Sequence, residues 1–196
     1  DYRYVDANGD GIIDDNDRMP LFWSGTPLIH YGFNLEASWK NFDIYALLQG
    51  AGMYTVQFSE VYAEVLWSKG ANTPAYFYDR WRKEDPYNPN SKWVAGKWPA
   101  TRLIQDTGAM YKESNIWRRD ASYLRLKTLE LGYTLPDSIL RKSGISNIRF
   151  YINGYNLLTF CDSFVKAFDP EKVEGSYSAG MNYPLTKSFN IGFTAN

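Results

Sequence analysis

Two neighbouring runs of residues alternate between apolar and polar side chains, and this period of two constrains the fold more than any other feature of the sequence. The apolar positions of the first run are Tyr31, Phe33, Leu35, Ala37 and Trp39. Lys40 and Asn41 follow, and the second run then places Phe42, Ile44, Ala46 and Leu48 on one face. Two alternating runs joined by two residues predict a β-hairpin over residues 28–50.

Three further strands are predicted by the same alternation, at about 122–133, from 148 onward and at 188–194. Helical signals are weak. One or two turns are predicted within 56–69 and another at 136–142, where Gly144 would form the C-cap. The chain is therefore predicted to be all-β.

The third strand contains one interruption of its alternation. Leu124 and Leu126 share one phase, whereas Leu129 and the apolar residues after it take the other phase. A spacing of three within an alternating strand predicts a β-bulge, here near Lys127 and Thr128.

Two interpretations account for these strands. A soluble β-sandwich would bury the apolar faces in a dry core, whereas the wall of a membrane β-barrel would turn them toward lipid and its polar faces toward a lumen. Short and long connections alternate, and aromatic residues lie at strand ends, as is typical of outer-membrane barrels. We therefore expect an outward apolar face comprising Phe33, Leu35, Ile44, Phe150 and Ile191. We expect an inner polar face that includes Asn34, Glu36, Arg149 and Tyr151.

Composition excludes several functional classes. The formal net charge is −1 and the pI is about 5.9, so the basic patch of a nucleic-acid-binding protein is not expected. No apolar run is long enough for a transmembrane helix. One Cys and one His exclude a disulfide framework and an ordinary zinc site, and they disfavour a histidine-based triad.

An acidic segment near the N-terminus has the spacing of an EF-hand calcium loop. Its oxygen donors would be Asp6, Asn8, Asp10, the backbone carbonyl of Ile12, Asp14 and Asp17. Asp17 occupies the position where a bidentate Glu is usual, and the flanks do not read as helices. The sequence thus leaves two alternatives open: a structural Ca²⁺ site that stiffens a loop, or a metal-free turn rich in Asp, Asn and Gly.

The long connection at 51–122 is rich in aromatic residues. We predict that it contacts a ligand or a protein lid, because flat rings stack on sugars and bury well against protein. The residues predicted to do so are Trp67, Trp81, Trp93, Trp98, Trp117, Tyr76 and Tyr78. The alternative for any one of them is packing within the loop itself.

Acidic pairs such as Glu84 with Asp85, or Glu171 with Glu174, have the residue types of a glycosidase. Their spacing in sequence says nothing about their separation in space, so no catalytic residue and no enzymatic activity are predicted.

Several segments resemble a known family, and they occur in the family's order. The segment at 120–136, DASYLRLKTLELGYTLP, resembles a signature of SusC/RagA-type TonB-linked outer-membrane proteins. The matches continue with DANGDGIID at 6–14, DRW at 79–81 and GISNIRFYINGYNLLTF at 144–160. The closing strand at 187–193, KSFNIGF, is also similar.

The resemblance implies that the chain is the C-terminal part of a larger antiparallel transmembrane β-barrel of about 22 strands. It implies an acidic, calcium-like extracellular loop at 1–27, a hairpin at 28–50, a long extracellular loop at 51–122 and the last three strands at 123–196. The plug domain and the TonB-contacting segment would lie elsewhere in such a protein. A terminal aromatic residue is expected one position beyond Asn196.

The family imports glycans or peptides across the outer membrane of Gram-negative bacteria. The resemblance therefore implies a SusD-like lipoprotein lid, the TonB complex, the remaining barrel and plug, a glycan or peptide ligand and the lipid bilayer as partners. The alternative function is a secreted, calcium-dependent carbohydrate-binding β-module. It differs in one respect that a structure can test, because its apolar faces would form a buried core.

Overall fold

The computed structural model describes residues 2–58, 73–101, 114–141, 144–172 and 182–196. Nine strands lie in these ranges. They are β1 (Ile29–Trp39), β2 (Phe42–Gly52), β3 (Thr55–Gln57), β4 (Arg82–Lys83), β5 (Trp93–Val94), β6 (Arg118–Asp120), β7 (Tyr123–Thr134), β8 (Ile148–Phe160) and β9 (Ser188–Ala195). The five long strands form one antiparallel sheet in the order β1-β2-β7-β8-β9, which confirms the five predicted strands.

Helical structure is sparse in the described residues. The two α-helices, α1 (Asp137–Leu140) and α2 (Ser163–Lys166), are one turn each, and short 3₁₀ turns occur elsewhere. None of the described helices has the length and apolarity needed to cross a membrane. The turn predicted at 136–142 is confirmed by α1. The helix predicted within 56–69 is wrong at its start, where β3 pairs with β6, and its remainder lies outside the described residues.

The predicted bulge is present at Lys127. Leu47 and Leu48 are adjacent on β2, yet their partners on β7 are Thr128 and Leu126, so Lys127 is an extra residue. The pairing of β7 with β8 shifts at the same place, opposite Asn156, which takes a positive φ of 54°. The extra residue restores the phase of the strand, so every leucine of β7 lies on the same face.

The two ends of the sheet differ in character. At one end, which we call the turn end, β1 and β2 are joined by the two-residue turn at 40–41, and residues 135–147 join β7 to β8. The opposite end, the loop end, carries the long connections at 53–122 and 161–187. The N-terminal segment also lies at the loop end, because the Trp117 indole donates to the Tyr2 hydroxyl at 2.8 Å.

Among the residues that the structure describes, the hydrophobic cores lie at the loop end rather than along the sheet. The first, which we call the loop core, consists of Ala51, Tyr54, Val56, Phe58, Ala121, Tyr123 and Val165. The second, the aromatic cluster, consists of Phe77, Trp98 and Trp117, with Tyr76, Ile116 and Phe164 packed against it. Burial of apolar area thus stabilises the described parts of the loops.

The apolar face of the sheet is exposed. The five residues that distinguish the two interpretations are Phe33, Leu35, Ile44, Phe150 and Ile191, with exposed fractions between 41% and 87%. A soluble module would bury these side chains, since each large apolar side chain removed from water contributes about 1.5–3 kcal/mol. Within the described residues no second sheet covers them, and the expectation of an outward apolar face is confirmed.

Candidate functional site

The polar face of the sheet carries a hydrogen-bonded ladder that crosses four strands. Arg149 on β8 donates from Nε to Asp43 Oδ1 on β2 at 3.0 Å and from Nη2 to Glu130 Oε1 on β7 at 2.8 Å. Asn153 donates to the other Glu130 oxygen at 3.1 Å, and Asn190 on β9 donates to Asn153 at 2.9 Å. Every member of the ladder thus has a charged or amide partner on another strand of the sheet, and the Arg149–Asp43 pair reaches across β7.

A glycine makes room for this ladder. Gly132 pairs with Asp43 on one side and with Tyr151 on the other. A Cβ at this position would collide with the Arg149 guanidinium and the Asp43 carboxylate, which meet over the glycine. The glycine of the "LELGYTLP" segment is therefore explained by the close approach of a salt bridge.

The residues predicted to line an interior lie on this face. Arg149 belongs to the ladder, and its guanidinium lies over the Tyr151 ring at 5.5 Å. Asn34 and Glu36 occupy the same face of β1 and pair with Leu47 and Tyr45.

The predicted aromatic contact residues divide into two groups. Trp98 and Trp117 are only 3% exposed and stack with ring centroids 5.2 Å apart, so they form the interior of the aromatic cluster. Tyr76 packs against the cluster. Trp98 and Trp117 therefore offer almost no free surface to a ligand or lid, and their predicted contact role stays a prediction.

The remaining aromatic residues project from the ordered loop. Trp81 is 46% exposed, Trp93 is 55% exposed and Tyr78 is 83% exposed. Their backbone is well fixed, since the Trp81 amide donates to the Trp98 carbonyl at 2.9 Å and Trp93 lies in the β4–β5 pair. Trp67 lies outside the described residues.

The acidic N-terminal segment folds around its own backbone amides. Asp6 accepts from the amides of Gly9 and Gly11 at 2.7 and 2.8 Å, and Asp10 accepts from the Ile12 amide at 2.7 Å. In the described parts of the chain, no three acidic, His or Cys side chains are grouped as a metal site would require. The segment is thus a turn held by its own Asp carboxylates, and the calcium site stays a prediction.

Asp17 closes the acidic segment. Its carboxylate accepts from the Asp14 amide at 2.8 Å and from the Ala7 amide at 2.7 Å. These two hydrogen bonds, that of Asp14 first, lower the pKa of the Asp17 carboxyl from its ordinary value. Asp14 also caps the 3₁₀ turn Asp15–Asp17 by accepting from the Asn16 amide at 2.8 Å. Asp17, at the position where an EF-hand loop usually has a Glu, therefore stabilises the turn through backbone hydrogen bonds.

The acidic pairs considered for catalysis do not converge. Glu171 is occupied by Arg125 and Lys127, and Asp85 accepts from the Tyr87 amide within a tight turn. Glu174 lies outside the described residues. Glu171 and Asp85 therefore serve structural ion pairs and hydrogen bonds.

Three residues that organise the loop end were not singled out from the sequence. Arg125 on β7 is 3% exposed and binds Asp169, while Phe164 joins the loop core to the aromatic cluster. Arg125 and Asp169 are 44 positions apart in sequence, and Phe164 is still farther from Trp98. The one signal in the sequence was the alternation of β7, which places Arg125 on the face opposite to that of the leucines.

Comparisons with known proteins place the chain among outer-membrane receptors, although no protein-family profile matches it. It is 32% identical over 200 residues to TonB-dependent receptor P3 of Formosa agariphila, an alignment covering 96% of this chain and 18% of the relative. It is 31% identical over 206 residues to TonB-dependent receptor P26 of the same organism, covering 97% and 19%. The chain thus spans about a fifth of the length of the curated relatives that it matches.

Solved structures show the same fold. The RagAB peptide transporter matches with a TM-score of 0.65 and 25% identity, covering 93% of this chain and 19% of that one. The RagAB peptide importer in its open-open state matches with a TM-score of 0.62 and 27% identity, covering 87% and 17%. The exposed apolar face, the polar ladder and the loops gathered at one end are therefore those of a barrel wall. The chain is a segment of a SusC/RagA-type TonB-dependent outer-membrane transporter, with an antiparallel transmembrane sheet that forms part of a larger barrel.

Proposed function

We propose that the segment serves the import of glycans or peptides across the outer membrane of a Gram-negative bacterium, as wall and outer loops of the conduit. The observation that carries the proposal is the contrast between the two faces of the sheet. Its apolar face is exposed and its polar face is hydrogen-bonded from strand to strand. Such a sheet is suited to separate hydrocarbon from a wet interior.

We assign the loop end to the outside of the cell and the turn end to the periplasm. Outer-membrane barrels have short periplasmic turns and longer external loops, and the described chain has both long connections at one end. The plug and the TonB contact would come from parts of the transporter outside this chain. The segment itself would carry no reaction.

A SusD-like lipoprotein is proposed as the partner at the loop end. The solved structures that this chain matches are of RagAB, a peptide importer whose name joins two components, A and B. This supports an assembly of a transporter with a partner protein. The loop end also offers Tyr78, Trp81 and Trp93 as exposed rings on an ordered backbone. Aromatic rings held in place lose little conformational entropy on binding, so they suit either a lid or a flat ligand.

The proposal is tested on the full-length transporter in outer membranes. The variants are Trp81→Ala and Trp93→Ala, and the control is Trp39→Ala, whose exposed ring lies at the turn end. Uptake is measured with labelled casein peptides and, separately, with labelled starch oligosaccharides. Crosslinking to the partner lipoprotein is measured in parallel.

We expect each loop variant to weaken uptake or crosslinking roughly three- to tenfold, since an aromatic contact contributes about 0.5–1.5 kcal/mol beyond its burial. The control variant should retain both. Wild-type uptake and crosslinking in both loop variants would contradict the assignment of these rings. Uptake of neither probe by the wild-type transporter would contradict the proposed substrate classes.

A further inference from the structure

A charged network fastens a loop segment to the polar face of the sheet. The segment, which we call the strap, is residues 162–171. Arg125 donates from Nη2 to Asp169 Oδ1 at 2.6 Å and from Nη1 to Glu171 Oε2 at 2.8 Å. Lys127 donates to both Glu171 oxygens, at 2.6 and 2.8 Å. The side chains of Arg125 and Asp169 are each 4% exposed, so this ion pair is nearly dry.

The strap lies on the inner side of the wall. Arg125 pairs with Gln49 on β2 and with Thr159 on β8, and its Nε donates to the Thr159 hydroxyl at 3.0 Å. Gln49 shares the face of Asp43 by the alternation of β2. The strap therefore folds back over the face that we assign to the conduit, and not over the apolar face.

Contacts other than ion pairs also hold the strap in place. Asp162 caps α2 by accepting from the Phe164 amide at 2.8 Å, and Val165 in that turn is fully buried in the loop core. The Tyr54 hydroxyl donates to the Pro170 carbonyl at 2.8 Å. Asp169 adopts a positive φ of 67°, and its second oxygen accepts from the Leu185 amide at 2.7 Å. A non-glycine residue in this conformation persists only where its surroundings fix it.

Phe164 connects the strap to the rest of the loops. Its ring lies 4.9 Å from that of Phe58 in the loop core and 5.4 Å from that of Trp98 in the aromatic cluster. The Arg119 guanidinium lies over the same ring at 5.4 Å. Phe164 thus links the aromatic cluster to a segment that is itself bound to the wall, in addition to the Phe58 amide, which donates to the Trp117 carbonyl at 2.8 Å.

We infer that the strap is a fixed, inward-folded constriction of the conduit at its loop end, locked to the wall by Arg125 and Lys127. Phe164 adds the strap to the contacts that anchor the aromatic cluster to the barrel. The two cations are matched by two carboxylates, so the strap narrows the passage without leaving either cation free. This goes beyond the proposed function, because it requires neither a particular ligand nor a lid.

High salt should have little effect on the ion pairs that hold the strap to the wall. Buried ion pairs are screened far less than exposed pairs, and removal of one partner leaves a charge buried without compensation. Loss of the Arg125 guanidinium is therefore expected to free the strap, whereas high ionic strength is not.

The experiment uses the full-length transporter with Cys161→Ser, spin-labelled at Lys166→Cys on the strap and Glu36→Cys on the polar face of β1. Distance distributions between the labels are measured by pulsed electron paramagnetic resonance. The test variant is Arg125→Gln. The matched control is Arg149→Gln, which also removes a guanidinium bound to two carboxylates, but at the turn end. Heat-modifiable gel migration shows that each barrel is assembled.

We expect a narrow distribution in the wild-type background, unchanged in 1 M NaCl, and at least a twofold broader one in Arg125→Gln. Arg149→Gln should remain narrow. A broad wild-type distribution, an equally narrow one in Arg125→Gln, or equal broadening in the control would overturn the inference.

A second variant covers the case in which Arg125→Gln does not assemble. Glu171→Gln removes an acceptor of three charged hydrogen bonds and keeps the Arg125–Asp169 pair. We expect a smaller but measurable broadening, and wild-type width in this variant would likewise overturn the inference.

Discussion

Leu126 and Leu129 lie three positions apart on β7, yet both lie on the apolar face of the sheet. Their partners on β2 are Leu48 and Ala46, which are two positions apart. Lys127 is the residue that the bulge adds between them. The bulge therefore keeps the leucines outward while it places Arg125 inward, where the strap is bound.

Deletion of Lys127 should destabilise the barrel. Without the extra residue, the start of β7 either turns its leucines inward and Arg125 outward, or loses its pairing. An arginine on the lipid face costs up to about 2–4 kcal/mol at mid-bilayer depth and less near the interface. Urea unfolding of the full-length transporter measures the loss.

Lys127→Ala is the control for this deletion, because it keeps the residue count and removes only one ion-pair partner. We expect it to lose clearly less stability than the deletion variant, because the register of β7 is kept. Equal stability of the deletion variant and the wild type would show that the bulge does not set the register.

Adjacent substitutions on β1 should differ sharply in effect. Phe33→Arg places a cation on the apolar face and should cost about 2–4 kcal/mol at mid-bilayer depth, whereas Asn34→Arg places it on the polar face. We expect Asn34→Arg to be within about 0.5 kcal/mol of the wild type, as is usual for exposed polar sites. Unfolding in lipid vesicles measures both. Near-neutral behaviour of Phe33→Arg would indicate that its face meets water.

The fold could be read from the sequence to the extent that it depends on local alternation. Strands β1, β2, β7, β8 and β9, the turn at 40–41 and the bulge at Lys127 all follow from the period of two. Because a one-residue slip reverses both faces, the alternation also identified which side chains are exposed.

The loop end could not be read in the same way. Its packing joins residues with no shared period, such as Trp98 and Phe164, and its ion pair joins Arg125 to Asp169 across 44 positions. A single sequence gives no signal for such contacts. For the same reason the sequence could not separate buried Trp98 and Trp117 from exposed Trp81 and Trp93.

The acidic segment should loosen at low pH. Backbone hydrogen bonds lower the pKa of the Asp17 carboxyl, so its stabilising effect is complete above the unfolded value of about 3.9. That effect is lost as the pH falls through the lowered pKa. Carboxyl NMR of ¹³C-aspartate-labelled protein should show Asp17 titrating below the ordinary aspartate value of about 3.9.

Asp17→Asn is the control, since it should abolish this pH dependence of the segment. The same spectra test the calcium prediction. Ca²⁺ binding calls for shifts of the Asp6, Asp10 and Asp14 carboxyls, and spectra that do not respond to Ca²⁺ would contradict it.

Residues 1–196 expressed alone should not give a monodisperse monomer without detergent. In the described part of the chain, β1 pairs only with β2 and β9 only with β8, so the sheet has two open edges. Open edges and an exposed apolar face promote association. Size-exclusion chromatography with light scattering checks this, and a soluble monomer with a cooperative melting transition would contradict it.

The orientation of the sheet is tested most directly by nitroxide accessibility in the full-length transporter in bilayers, with labels at the neighbouring positions of Leu35→Cys and Glu36→Cys. Oxygen partitions into hydrocarbon, and a charged nickel chelate stays in water. The account predicts that the label at position 35 is more accessible to oxygen than to the nickel chelate. At position 36, the accessibility to the nickel chelate should be higher than at position 35. Nickel accessibility at position 35 equal to that at 36, or protection of position 35 from both reagents, would contradict it.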